Sequence, residues 1–204
     1  YAVEFGQVAI AHLLAVASPG PDFAIVLRQS IIHGRRTAVW TGIGVGSAIL
    51  LHVTYSLLGL GLLVRSSPLW FDVAKYSGAV YIAWLGVQSL RARPRDLAAI
   101  AEEQALARPA TRSAFASGFL TNALNPKVTL FFISLFALVV SPDTPKLIQA
   151  AYGLWMALAT MAWFSIVAVG FTRPGVREYF PRRGHWIDRS LGGVFIRLAA
   201  GRAR

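Results

Sequence analysis

Two short stretches interrupt apolar runs that are otherwise long enough to cross a membrane: Ser18-Pro19-Gly20-Pro21-Asp22 in the first half of the chain and Asn122-Ala123-Leu124-Asn125-Pro126-Lys127 in the second. Each combines helix-breaking residues with polar or charged groups. In hydrocarbon an unpaired backbone N–H or C=O has no water to bond, so irregular backbone persists only where protein buries it or where it lines a cavity. Two such interruptions at corresponding places in two halves point to a transporter's binding site. The rest of the chain reads as the frame that brings them together.

Composition identifies the solvent. Of 204 residues, 55% are hydrophobic and 14% charged, with mean hydropathy +0.55, against about 25% charged residues in a soluble domain. The class expected is therefore a polytopic membrane protein with the lipid bilayer as its first partner. A net charge of +11 on a soluble surface would suggest nucleic acid. Here the basic residues cluster between apolar runs, as topology signals do, so no nucleic-acid partner is expected. The absence of cysteine excludes disulfides, thiolate metal sites and thiol redox chemistry. Ala15-Val16-Ala17 has the form of a signal-peptide cleavage site, but its flank carries Glu4 and no basic residue, so the first run is expected to stay in place.

Six apolar segments can be drawn, at about 5–27, 38–64, 69–90, 114–140, 146–171 and 187–201. They predict an all-α membrane protein of six transmembrane helices, with helices 1 and 4 broken at Pro. The sixth segment is short and holds Arg197, which calls for tilt, for an Arg reaching the interface, or for a longer chain. Orientation follows from Lys and Arg. Thirteen lie in the odd-numbered connections, among them Arg28, Arg35, Arg36, Arg91, Arg112 and Arg173, against five on the other side, so both termini are expected outside the cytoplasm.

An internal repeat accompanies the six segments. Setting Pro19 on Pro126 aligns the breaks; a small change of offset places Gly44 on Gly153, Gly61 on Gly170 and Tyr55 on Phe164, and Gly78-Ala79-Val80-Tyr81-Ile82 lies over Gly192-Gly193-Val194-Phe195-Ile196. Three helices per half is an odd number, so two tandem copies enter the membrane in opposite directions, an inverted repeat. The expected organisation is a first three-helix repeat over 1–92, a cytoplasmic linker over 93–113 bracketed by Pro94 and Pro109, and a second repeat over 114–204, in one membrane domain.

A helix broken at Pro19-Gly20-Pro21 exposes backbone donors at one half-helix end and carbonyls at the other. The donor end favours a carboxylate, and Asp22 favours an ammonium group or a coupling proton. Asn122 and Asn125 offer amides, Pro126 breaks the second ladder, and Lys127 places a cation in mid-span, tolerable if Asp22 offsets it. A plainer reading makes Asp22 a helix cap or a structural partner of Lys127. His12 and His52 read as packing residues before proton carriers, and Tyr55, Tyr81 and Trp84 as interface aromatics before path-lining ones. Gly42-Ile43-Gly44-Val45-Gly46 permits close helix contact, within the bundle or in a dimer. It follows no strand and has no phosphate-binding Lys, so it is not a nucleotide motif.

Together these residues resemble the lysine-exporter (LysE) superfamily and, within it, the RhtB branch of homoserine and threonine exporters. The resemblance is carried by Ser18-Pro19-Gly20-Pro21-Asp22, Arg28 with Gly34-Arg35-Arg36, Gly44 and His52, the run from Gly78 to Gly86, and Gly118-Phe119-Leu120-Thr121 leading into Asn122 through Lys127. It implies a small inner-membrane carrier that exports amino acids on the proton motive force, as an oligomer such as a homodimer. The site expected is Pro19, Gly20, Pro21, Asp22, Asn122, Asn125, Pro126 and Lys127, with Asp22 also carrying the coupling proton. No cofactor, resident metal or enzymatic step is expected. The rival readings are a carrier of the same architecture for another solute such as a metal cation, an intramembrane enzyme, which would need a nucleophile with a base or two deep Asp and finds one such Asp, and a membrane subunit that transports nothing.

Overall fold

The structure, a computed structural model, describes residues 1–18, 20–66 and 110–172 together with scattered positions between 69 and 91. The sixth expected span, most of the third, most of the 93–113 linker and Pro19 lie outside the described residues. Those described form six α-helices and no strand: α1 (Ala2–Ala17), α2 (Pro21–His33), α3 (Arg35–Ser66), α4 (Thr111–Ala123), α5 (Pro126–Leu138) and α6 (Lys146–Gly170). Within α3, Arg35–Gly59 is a 25-residue apolar stretch, and α6 is another of 25. At 1.5 Å per residue each is about 37 Å long, enough for a hydrocarbon core of about 30 Å. α1 with α2, and α4 with α5, qualify only as pairs, bent by 53° and 58°. The expected breaks in the first and fourth helices are therefore present, with two candidate spans, or four if each bent pair is one.

Local chemistry explains where the breaks fall. α1 ends at Ser18, whose N–H is shared between the carbonyls of Leu14 and Ala15 at 3.1 and 3.3 Å before the backbone becomes extended. α2 starts at Pro21 after Gly20, and α5 at Pro126 after Asn125. Proline suits the first helical position because its φ is already helical and its missing N–H would have had no acceptor there. The two helix starts thus match Pro21 with Pro126, not Pro19 with Pro126 as the sequence alignment has it. The next residues, Asp22 and Lys127, carry opposite charges at the same helical position.

One boundary differs from the sequence reading. α2 continues past residue 27 to His33, and only Gly34, at φ +82°, separates it from α3. Arg28 is thereby on a helix, not in a connection. The polar run Arg28-Gln29-Ser30 looks like a loop, but Gln29 and Ser30 turn inward, and Ser30 Oγ donates to the Ala168 carbonyl of α6 at 2.8 Å.

In lipid, burial of apolar surface does not drive helices together, so association relies on close packing. α3 is the centre of that packing. A side chain at Gly44 would collide with the backbone of Phe115 on α4; at Gly42 or Gly46 it would meet Phe164 or Met161 on α6; and Gly118 of α4 lies against the Thr41 carbonyl. Gly42 through Gly46 therefore packs inside the bundle. Two apolar clusters flank the centre. One joins Val8 and Ala11, Ile49 and Val53, Phe131 and Phe132, and Met156. The other joins Phe23 and Leu27, Ala38 and Val45, and Phe164 and Ala168.

The ends of the bundle are tied separately. At one end, Glu4 accepts from Ser141 N at 2.9 Å and from Thr144 Oγ1 at 3.0 Å, and Tyr152 donates to the Tyr1 carbonyl at 3.1 Å. At the other, His33 through Thr37 share a recess with Ala110 and Thr111. The start of α1 thus shares an end with the α5–α6 connection, and the α2–α3 junction shares the opposite end with the start of α4.

Candidate functional site

Both breaks open onto one cavity of about 40 Å³, lined among others by Ser18, Gly20, Asp22, Asn122, Asn125 and Lys127. Its apolar wall comes from both clusters, with Phe131 and Phe132 from one and Phe23 and Phe164 from the other. A buried water needs about 10–15 Å³ of such space, so the cavity has room for about three waters.

Each break reaches across to the other. Asp22 Oδ2 accepts from Asn122 Nδ2 at 3.0 Å and from Asn125 Nδ2 at 3.4 Å. Asn125 Oδ1 accepts the backbone N–H of Lys127 at 3.0 Å, capping α5 and turning its amide nitrogen toward Asp22. Lys127 Nζ donates to Ser18 Oγ at 3.1 Å, and its charge attracts that of Asp22. A methyl on Gly20 would sit 3.6 Å from Nζ, an ordinary contact distance, so the ammonium lies close to the start of α2. Asp22 Oδ1 is buried and accepts no hydrogen bond. A lone pair left empty inside protein costs free energy, so this oxygen is where a ligand's donor, or a proton, would be held most strongly.

Of the expected residues, Gly20, Asp22, Asn122, Asn125 and Lys127 meet around the cavity, while Pro21 and Pro126 start the helices that present them. Ser18 joins them through Lys127. The two histidines do more than fill space. His52 Nε2 bonds the Asn122 carbonyl at 3.1 Å while Nδ1 bonds Tyr55 Oη at 2.5 Å. A carbonyl can only accept, so Nε2 carries the hydrogen and Tyr55 donates to Nδ1. His52 thereby holds the carbonyl end of α4 at the break. His12 Nε2 bonds the Met156 carbonyl at 3.1 Å and Thr160 Oγ1 at 2.9 Å, tying α1 to α6 beside the cavity. No spacing in the sequence distinguishes these roles; the only signal is a histidine within an apolar run. Asp22, His12 and His52 do not gather into a metal-binding group, and among the described residues no three His, Cys, Asp or Glu side chains do.

Apolar helices, two of them broken and stitched together through half-buried charged groups and buried amides around one cavity, define a membrane transporter. The comparisons narrow this. The LysE type translocator family matches residues 13–202, and the chain belongs to that family; it is a transporter and not an enzyme. It is 31% identical over 193 residues to a protein of Escherichia coli (strain K12) named threonine efflux protein, covering 94% of this chain and 93% of the relative. It is 30% identical over 188 residues to the homoserine/homoserine lactone efflux protein of Salmonella typhimurium, covering 90% and 87%. No solved structure matches the chain.

Proposed function

We propose that this chain exports small neutral amino acids across the cytoplasmic membrane, driven by the proton motive force. Asp22 holds the α-ammonium group through Oδ1 and exchanges it for a proton. Lys127 and the uncapped start of α2 hold the carboxylate. The observation that carries this reading is the empty lone pair of Asp22 Oδ1, buried beside a cation and two amides where the broken helices meet. A zwitterion complements such a pair of opposite charges. The names of the relatives, threonine and homoserine efflux proteins, support amino-acid substrates with small polar side chains.

The architecture proposed is six spans in two inverted three-helix repeats, 1–92 and 114–204, with residues 93–113 as a cytoplasmic linker and both termini outside. It is supported by the end-to-end ties: the far end of the apolar stretch Arg35–Gly59 of α3 lies near Lys146, which donates to the Leu57 carbonyl at 3.4 Å, whereas α4 starts at the opposite end beside Gly34. In this reading the connection between them crosses the membrane once, and parting one apolar cluster or the other opens the site to one side.

The direct test is ligand-induced stabilisation of purified protein. Threonine or homoserine should raise the melting temperature in detergent, by an amount that grows with concentration, and Asp22→Asn should abolish the rise while melting as a folded protein. If no amino acid shifts the wild-type transition, the solute is of another class or there is none.

A further inference from the structure

Away from the central cavity, two helices begin at one recess of about 320 Å³ lined by His33, Gly34, Arg35, Arg36, Thr37, Ala110 and Thr111. The first N–H groups of a helix have no acceptor within it. In α3 and α4 the intrahelical ladders start with Ala38 N on the Gly34 carbonyl and Ala114 N on the Ala110 carbonyl. The residues before these helices, Gly34 and Ala110, have no side chain that could cap them, and neither first turn contains an acidic residue. Instead Arg35, Arg36 and Arg112 place positive charge at the positive ends of two helix dipoles, the unfavourable arrangement.

A second observation stands beside this one. His33 forms part of the recess wall, is 6% exposed, and has neither ring nitrogen hydrogen-bonded. A buried imidazole without partners is a cost that an incoming acceptor relieves. The polar side chains around the recess can all act as donors, the hydroxyls of Thr37 and Thr111, two guanidinium groups and an imidazole, and they outnumber the carbonyls that α2 ends on beside Gly34.

We propose that this recess binds a phosphate group, supplied by the headgroup of an anionic phospholipid or by free phosphate. Phosphate offers several strong acceptors and a negative charge that satisfies both helix starts at once. The recess lies at an end of the apolar bundle, where a lipid headgroup would sit, and its arginines are the residues that membrane surfaces of negative charge attract.

The test uses the full chain in lipid nanodiscs of phosphatidylcholine with or without phosphatidylglycerol, with retained phosphatidylglycerol counted by native mass spectrometry and competition by inorganic phosphate. Wild type should retain phosphatidylglycerol, and Arg35→Gln/Arg36→Gln should bind it about tenfold more weakly. His33→Leu, which removes the ring nitrogens at similar volume, should weaken retention as well, with Thr111→Val as the second variant should His33→Leu unfold. Retention that phosphate cannot displace assigns the site to the lipid; displacement together with direct phosphate binding assigns it to the free ion. If the arginine pair matters but His33→Leu and Thr111→Val do not, the attraction is a diffuse one between basic residues and the membrane, and the proposal fails. It fails equally if neither probe binds.

Discussion

Asn122 donates its side-chain amide to Asp22 Oδ2 at 3.0 Å across 100 positions of sequence. That bond makes one structure of the two breaks, because Asn122 lies in the last turn of α4 and Asp22 in the first turn of α2. It also directs the carboxylate. With Oδ2 occupied by amides, Oδ1 is the oxygen left for a ligand or a proton, and whatever binds it is felt by both interrupted helices.

If Lys127 and the start of α2 hold the substrate carboxylate, wild type should prefer threonine to its carboxamide. Lys127→Gln should reduce that preference by about tenfold, the loss of one charge-assisted contact. Competition by the two compounds for transport measures the ratio. A variant that loses both compounds in equal proportion would instead mark Lys127 as structural.

His52 acts on the site through the Asn122 carbonyl, so its removal should slow transport without changing which amino acid is preferred. His52→Leu is expected to cost about 1–3 kcal/mol of stability by removing the imidazole that Tyr55 bonds and one of the two donors to that carbonyl, the other being Asn125 N–H. His52→Gln, which can still donate from a similar position, should recover part of the rate. Parallel melting and transport curves for both variants check this.

The glycines divide into two sorts by what surrounds them. Gly44→Ala puts a methyl into the Phe115 backbone and should destabilise the bundle by about 1–3 kcal/mol. Gly59→Ala meets nothing within 4 Å and should be neutral or add up to about 1 kcal/mol through helix propensity. Unfolding of the two purified variants in detergent gives the comparison.

Much of this site can be read from the chain because Pro, Asp, Asn and Lys stand out in apolar runs where they cost most. The partners they choose cannot. Whether Asp22 meets Lys127 or two asparagines depends on bends of 53° and 58° and on side-chain reach, none of which spacing encodes. The same limit hid the length of α2, since Gln29 and Ser30 look like a loop until α6 supplies a carbonyl for Ser30. His12 and His52 sit in apolar runs like any buried residue, and only their neighbours show that each ties one helix to another.

These 204 residues contain no cysteine, so single cysteines introduced into them report sidedness. Asp143 and Arg36 are both exposed, at opposite ends of the bundle. Asp143→Cys should react with a membrane-impermeant maleimide in intact cells, and Arg36→Cys only in inverted vesicles. The reverse pattern would place the termini in the cytoplasm.

The central claim is that Asp22 couples amino-acid movement to protons. The measurement that tests it most directly is uptake of labelled threonine and homoserine into inverted membrane vesicles under an imposed pH gradient, with Asp22→Asn at matched folded protein. The account predicts accumulation that requires both the gradient and Asp22, falling by about a hundredfold in the variant through loss of a charged hydrogen bond worth up to about 3 kcal/mol. Accumulation that survives Asp22→Asn, or that ignores the gradient, would contradict it.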